Sequence, residues 1–107
     1  MQNDEFTMTE EVDGDTVRFI AKGRITSFSA GSLEFTISEA IKKGMSNIIV
    51  NMMQVAFLSS AGIRVLLMFF KKAKEAGGSF YVESPSENVI NVLGMTALDE
   101  MLLKPEA

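Results

Sequence analysis

Phe57-Leu58-Ser59-Ser60-Ala61-Gly62 marks a change of rhythm in the chain. An apolar run ends at two serines and a small Ala-Gly step, and Ile63, Leu66, Leu67 and Phe70 then follow at helical spacing. Hydroxyl side chains at such a junction satisfy orphan backbone N–H groups of the first helical turn. The positive end of the helix dipole also favours a phosphate there. Upstream, Asn47-Ile48-Ile49-Val50-Asn51 is short, β-branched and unalternated, as in a strand buried on both faces, with Met52 to Ser59 as the loop between strand and helix. Downstream, Ala76-Gly77-Gly78 closes the helix and Phe80-Tyr81-Val82 reads as another strand.

The same alternation extends to both ends. Asp13-Gly14 separates two strand-like runs and is a strong hairpin signal, because both residues tolerate positive φ. In the second run Val17, Phe19 and Ala21 alternate with Arg18, Ile20 and Lys22, and Gly23 ends it. Ser27-Phe28-Ser29 then opens a helix carrying Leu33, Ile37, Ala40 and Ile41, which stops at Lys42-Lys43-Gly44. Ser84-Pro85-Ser86 opens a third helix with Val89, Ile90, Val92 and Leu93, interrupted by Gly94. Leu98 to Leu103 fits a short helix or an edge strand, and Lys104-Pro105-Glu106-Ala107 is expected to fray. The order ββαβαβα implies an α/β domain whose later strands pair in parallel through right-handed crossovers.

A chain of 107 residues suits one domain with one core, so residues 1–107 are expected to form a single unit. Hydrophobic residues make up 47% and charged residues 22%, as in soluble globular domains. The net charge of −4 argues against a nucleic-acid partner. Met1-Gln2-Asn3-Asp4-Glu5 lacks the basic and apolar regions of a signal peptide. The longest strongly apolar run, Val65 to Phe70, is far short of the ~20 residues that span a bilayer. A cytoplasmic protein without membrane attachment is expected.

Catalysis finds little support. The chain has no cysteine and no histidine, which removes thiolate metal sites, the commonest metal ligand and the commonest general base. No serine is followed three residues later by lysine, and Gly-x-Ser-x-Gly, phosphate-loop and Gly-x-Gly-x-x-Gly patterns are missing. Asp99-Glu100 reads as a solvated acidic pair. Most of the eight methionines fall within the apolar periodicity and read as core fillers, with a soft binding surface as the lesser reading. No enzyme, no metal and no cofactor is expected.

The two serines then admit two readings. Capping needs one hydroxyl and adds about 1 kcal/mol. Two hydroxyls are present, and Ala61 and Gly62 leave the approach uncrowded enough for a modifying enzyme.

Val55-Ala56-Phe57-Leu58-Ser59-Ser60-Ala61-Gly62-Ile63-Arg64-Val65-Leu66-Leu67 resembles the signature of STAS domains, stand-alone bacterial anti-sigma factor antagonists in particular. Gly23-Arg24-Ile25, Ile48-Ile49-Val50-Asn51, Gly77-Gly78 and Val92-Leu93-Gly94 fall where the family has similar features, so the resemblance covers nearly the whole chain. It implies a mixed four- to five-stranded sheet with helices packed against it. It also implies phosphorylation at Ser60, two residues before the signature glycine, with Ser59 as second choice. In such a switch the unmodified antagonist binds an anti-sigma factor that is also a serine kinase and frees a sigma factor. Phosphorylation releases the antagonist, and a serine phosphatase resets it. The chain departs from the family at Ser59 and Asn51, where aspartate is frequent, and at Ala61, where a second serine occurs; the first two changes remove negative charge near the site.

In the second helix Ile63, Leu66, Leu67 and Phe70 are expected to face the sheet. Val65, Met68 and Phe69 then point away, flanked by Arg64 and Lys72, and either meet a partner or lie under another helix. Ser27, Phe28 and Ser29 are placed beside Ser60 by the resemblance, although capping is their plainer reading. The candidate partner face thus comprises Ser27, Phe28, Ser29, Ser59, Ser60, Ala61, Gly62, Arg64, Val65, Met68, Phe69 and Lys72. Two alternatives remain: a STAS module of a stress-signalling scaffold or lipid-transport complex that phosphorylation does not switch, and a small nucleotide-binding or enzymatic domain.

Overall fold

The computed structural model describes residues 5–103. Its first two strands, β1 (Thr7–Asp13) and β2 (Thr16–Ile25), form the antiparallel hairpin expected at Asp13-Gly14, with Gly14 at φ 64°. Helix α1 (Ala30–Lys42) returns the chain to β3 (Asn47–Leu58), α2 (Ser60–Glu75) leads to β4 (Ser79–Glu83), and α3 (Glu87–Met95) and α4 (Asp99–Leu102) complete it. The four-stranded sheet has the order β1-β2-β3-β4, with β2, β3 and β4 parallel, so it is the mixed α/β sheet expected.

The segment 98–103 combines both sequence readings. It holds the short helix α4, and Leu103 then bridges Val82 in parallel at the β4 edge. Gly94 does not interrupt α3; it sits in its last turn, and the helix ends at Met95 with Thr96 as its cap. The expected fraying of Lys104 to Ala107 lies outside the described residues.

Burial in the sheet is one-sided. Val17, Phe19 and Ala21 of β2, Ile48, Val50 and Met52 of β3, and Phe80 and Val82 of β4 form one buried face. They join Leu33 and Ile37 of α1, Leu66 and Phe69 of α2, Val89 and Leu93 of α3 and Leu102 of α4 in one core. This corrects the expectation that β3 is buried on both faces. Ile49 is half-buried on the other side, between Arg18 and Tyr81 of the neighbouring strands. That side carries a polar lattice instead. Arg18 donates to both Glu83 carboxylate oxygens, at 2.7 and 3.2 Å, and the Asn51 amide donates to Glu83 at 3.2 Å. The hydrogen bond to Glu83, reinforced by its charge, holds the Arg18 guanidinium still more firmly protonated than usual.

Two further corrections share one cause. β2 does not end at Gly23, and Met52 to Leu58 is not a loop: both strands run on, pairing Lys22–Ile25 with Gln54–Leu58. The register shifts twice there, each time with an extra residue on β3, and the buried positions become Met52, Val55 and Leu58. Burial at every third residue breaks the alternation that identifies a strand. Gly23 lies inside β2 at φ 109°, where a Cβ would come within 2.6 Å of the Glu5 carbonyl oxygen; only glycine lets the chain before β1 pass so close.

The methionines are less buried than their periodicity suggested. Met52 is fully buried and Met8, Met45 and Met68 pack partly against the core, whereas Met53, Met95 and Met101 are exposed.

Candidate functional site

The extension of β2 and β3 sets the geometry of the serine segment. Ile25 and Leu58 pair at the carboxyl ends of two adjacent parallel strands, and the Ser59 N–H donates to the Ile25 carbonyl at 2.9 Å. Both strands then turn directly into helices, so α1 and α2 start side by side. Carboxyl ends of parallel strands are where open α/β sheets present their working loops.

The two serines divide the work. Ser59 has extended backbone (φ −82°, ψ 168°), and its Oγ accepts from the Gly62 N–H at 3.2 Å. It is the cap of α2 and is half-buried. Ser60 is the first helical residue and is exposed, and among the described residues its hydroxyl makes no hydrogen bond. Gly62 explains the small-residue step. A Cβ there would lie 2.6 Å from a methyl carbon of Ile25 and 2.7 Å from one of Leu58. The start of α2 is pressed onto the strand ends, which fixes the direction in which Ser60 faces outward.

The α1 start is tied down differently. Ser29 flanks the helix without capping it. Its Oγ accepts from the Thr26 N–H at 2.8 Å and donates to the Arg24 carbonyl at 2.7 Å, anchoring the turn to β2. Thr26, a residue the sequence did not single out, accepts from the Phe28 and Ser29 N–H groups at 3.1 and 3.3 Å. Capping as the reading of Ser29 is therefore replaced by a tether. Ser27 is exposed, and Phe28 is 94% exposed at the tip of the turn.

Between the helices lies a depression of about 220 Å³ lined by Ala30, Gly31 and Glu34 of α1 and by Ala61, Arg64, Val65 and Met68 of α2. The structure thus brings Ala61, Arg64 and Met68 together beside the start of α1. Val65 and Phe69 are corrected: they do not point away from the sheet but belong to the core, 8% and 1% exposed. The buried stripe of α2 is Gly62, Val65, Leu66, Phe69 and Ala73, whereas Ile63, Leu67 and Phe70 are only half-buried. Apolar residues flank that stripe on both sides, so two helical phases fitted the sequence about equally; the contact of Gly62 with the strand ends selects one of them. Lys72 is exposed and flanks Phe69, its ammonium 5.9 Å from the ring centroid, but it stands apart from the serine segment. It lies roughly 18 Å along the helix from Ser60, counting ~1.5 Å per residue, and lines a separate hollow with Ile41, Met45 and Ala76.

Sequence reasoning missed Arg24 and Phe57 as neighbours. Their Cα atoms are paired across β2 and β3, and the guanidinium carbon sits 4.6 Å from the ring centroid. Phe57 is 39% exposed. Only the shifted register puts them opposite each other, so no local signal could have found the pair. The charge pattern was legible: no acidic or basic residue occurs between Lys43 and Arg64.

Among the described residues no group of three or more acidic side chains is placed to hold a metal ion, and Asp99 simply accepts from the Glu100 N–H at 3.0 Å. No helix among them is long and apolar enough to cross a membrane. The arrangement offers a surface and an unoccupied hydroxyl.

A family model for the STAS domain matches residues 7–106. A Thermotoga neapolitana protein, named as a homologue of TM1081 and an inferred anti-sigma factor antagonist, is 29% identical over 69 residues, which is 64% of this chain and 61% of that protein. The match thus spans less than two thirds of that relative's length. Among solved structures, an anti-sigma factor antagonist from Mycobacterium paratuberculosis superposes with a TM-score of 0.85 at 22% identity, covering 98% of this chain and 90% of that one. The anti-sigma factor antagonist SpoIIAA in its unphosphorylated form superposes at 0.78 and 22% identity, covering 95% and 89%. The phosphorylated form of Bacillus SpoIIAA superposes at 0.72 and 19% identity, covering 95% and 92%. At these identities the likeness establishes the fold.

Proposed function

Because the chain belongs to the STAS domain family, we propose that it is an anti-sigma factor antagonist controlled by phosphorylation of Ser60. In this reading the unmodified protein binds, in the cytoplasm, an anti-sigma factor that is also a serine kinase, and so frees a sigma factor. The kinase transfers the terminal phosphoryl group of ATP to the Ser60 hydroxyl. The Oγ–P bond forms, the anhydride bond to ADP breaks, and the hydroxyl proton passes to a base of the kinase. The modified antagonist lets go until a serine phosphatase hydrolyses the phosphoester.

The single observation that carries this reading is the division between the hydroxyls. Ser59 is engaged as the cap, and Ser60 stands beside it exposed and, among the described residues, without a hydrogen bond. Charge on Ser60 therefore costs the fold little. A phosphate adds about −1.5 to −2 charge, and at the first turn of a helix that charge is stabilising by up to ~1 kcal/mol. At an interface the same group is a bulky dianion whose burial costs several kcal/mol unless cations meet it. About 1.4 kcal/mol is tenfold in affinity, so roughly 3 kcal/mol releases a partner.

The surface proposed for the partner is the paired helix starts: Ser27, Phe28 and Ser29 on one side, Ser60, Ala61, Arg64 and Met68 on the other, with Phe57 adjoining. Calorimetry with the cognate anti-sigma factor kinase tests it. Ser60→Asp is expected to weaken binding tenfold or more, about 1.4 kcal/mol or above, and Ser60→Ala to bind equally well with and without ATP. Undiminished binding by Ser60→Asp would overturn the reading. So would purification of the protein with a transporter subunit or a signalling scaffold in place of a kinase.

A further inference from the structure

We propose that Arg64 is the intramolecular partner of a phosphoryl group on Ser60, so that modification draws this guanidinium out of the partner surface as it adds the phosphate. The inference rests on Ser60 being the modified residue. Ser60 and Arg64 are four residues apart on α2, both exposed, and side chains at that spacing share a helix face with about 5–6 Å between their Cβ atoms. Helical side chains lean toward the N-terminus, so an arginine at position 64 can reach back over the turn that Ser60 begins.

Arg64 is also unoccupied. Among the described residues it makes no ion pair, hydrogen bond or ring contact. Arg24, the other cation near the site, is already stacked on Phe57. The acid nearest in role is Glu34, which lines the same depression as Arg64 without an ion pair to it. Since no charged residue lies between Lys43 and Arg64, a phosphate on Ser60 is the first negative charge that this stretch presents. A planar guanidinium can meet two phosphate oxygens at once, which an ammonium cannot.

The pairing removes two things from a partner together. The neutral hydroxyl is lost, and a cation that an acidic side chain of the partner could have met is turned inward along the helix. The phosphate is thereby partly neutralised within the domain.

The test is a phosphorus NMR pH titration of the full chain with phosphoserine installed at position 60 during translation. A nearby cation favours the dianion and lowers the second ionisation of the phosphate below its usual value near 6. Arg64→Gln is expected to raise that midpoint by about 0.3 unit at low salt, and Arg64→Lys by less. Added salt is expected to shrink the difference, and Arg24→Gln to leave the midpoint in place. Equal midpoints for the wild type and Arg64→Gln, or a shift caused by Arg24→Gln instead, would overturn the assignment. Because the phosphate is built in, this result is independent of any kinase: a null titration strikes Arg64, whereas failure of a kinase to label Ser60 strikes the proposed function.

Discussion

The starts of α1 and α2 stand side by side at the ends of β2 and β3, yet they spend their hydroxyls differently. At α1, Thr26 and Ser29 are committed to backbone groups, and Ser29 reaches back to β2. At α2, Ser59 performs the capping, Gly62 lets the helix sit tight on the strand ends, and the Ser60 hydroxyl has no hydrogen bond among the described residues. A hydroxyl that holds structure cannot be modified without local cost. One that holds nothing can take on charge while the core stays as it is. The contrast teaches where to look for a switch: beside the cap, on a well-anchored helix.

The sharpest way to break that contrast is at the anchor. Gly62→Val forces new carbon atoms against Ile25 and Leu58 and is expected to cost about 2–3 kcal/mol, measured by chemical denaturation. Ser29→Ala removes both tethers of the α1 start and should cost about 1–2 kcal/mol in the same assay. Ser59→Ala loses the α2 cap, with an expected cost of about 1 kcal/mol. At the bottom of the series stand Ser60→Ala and Ser60→Asp, both expected within about 0.5 kcal/mol of the wild type. If Ser60→Ala proved as costly as Ser59→Ala, the two serines would not differ as described.

Much of this was legible in the sequence. Asp13-Gly14 marks the hairpin, the alternation of strands and helices implies parallel pairing of the later strands, and the serine segment marks the α2 start, whereas the order of the strands in the sheet comes from the structure alone. The remainder depended on long-range pairing. The extensions of β2 and β3 escaped notice because two extra residues on β3 replace a period of two with burial at Met52, Val55 and Leu58. The sequence places the buried stripe of α2 one step out of phase: Leu66 fits either phase, Gly62, Val65 and Phe69 compete with Ile63, Leu67 and Phe70, and only the Gly62 contact with Ile25 and Leu58 chooses between them. The pattern placed a cap at Ser59 or Ser60, but which serine turns to the Gly62 N–H depends on backbone dihedrals that composition does not encode.

The most direct measurement is site mapping after incubation with the cognate anti-sigma factor kinase and ATP. Tandem mass spectrometry of the wild type, Ser59→Ala and Ser60→Ala is expected to place one phosphate on Ser60 in the first two and none in the third. A phosphate found on Ser59, or retained in Ser60→Ala, would contradict the account.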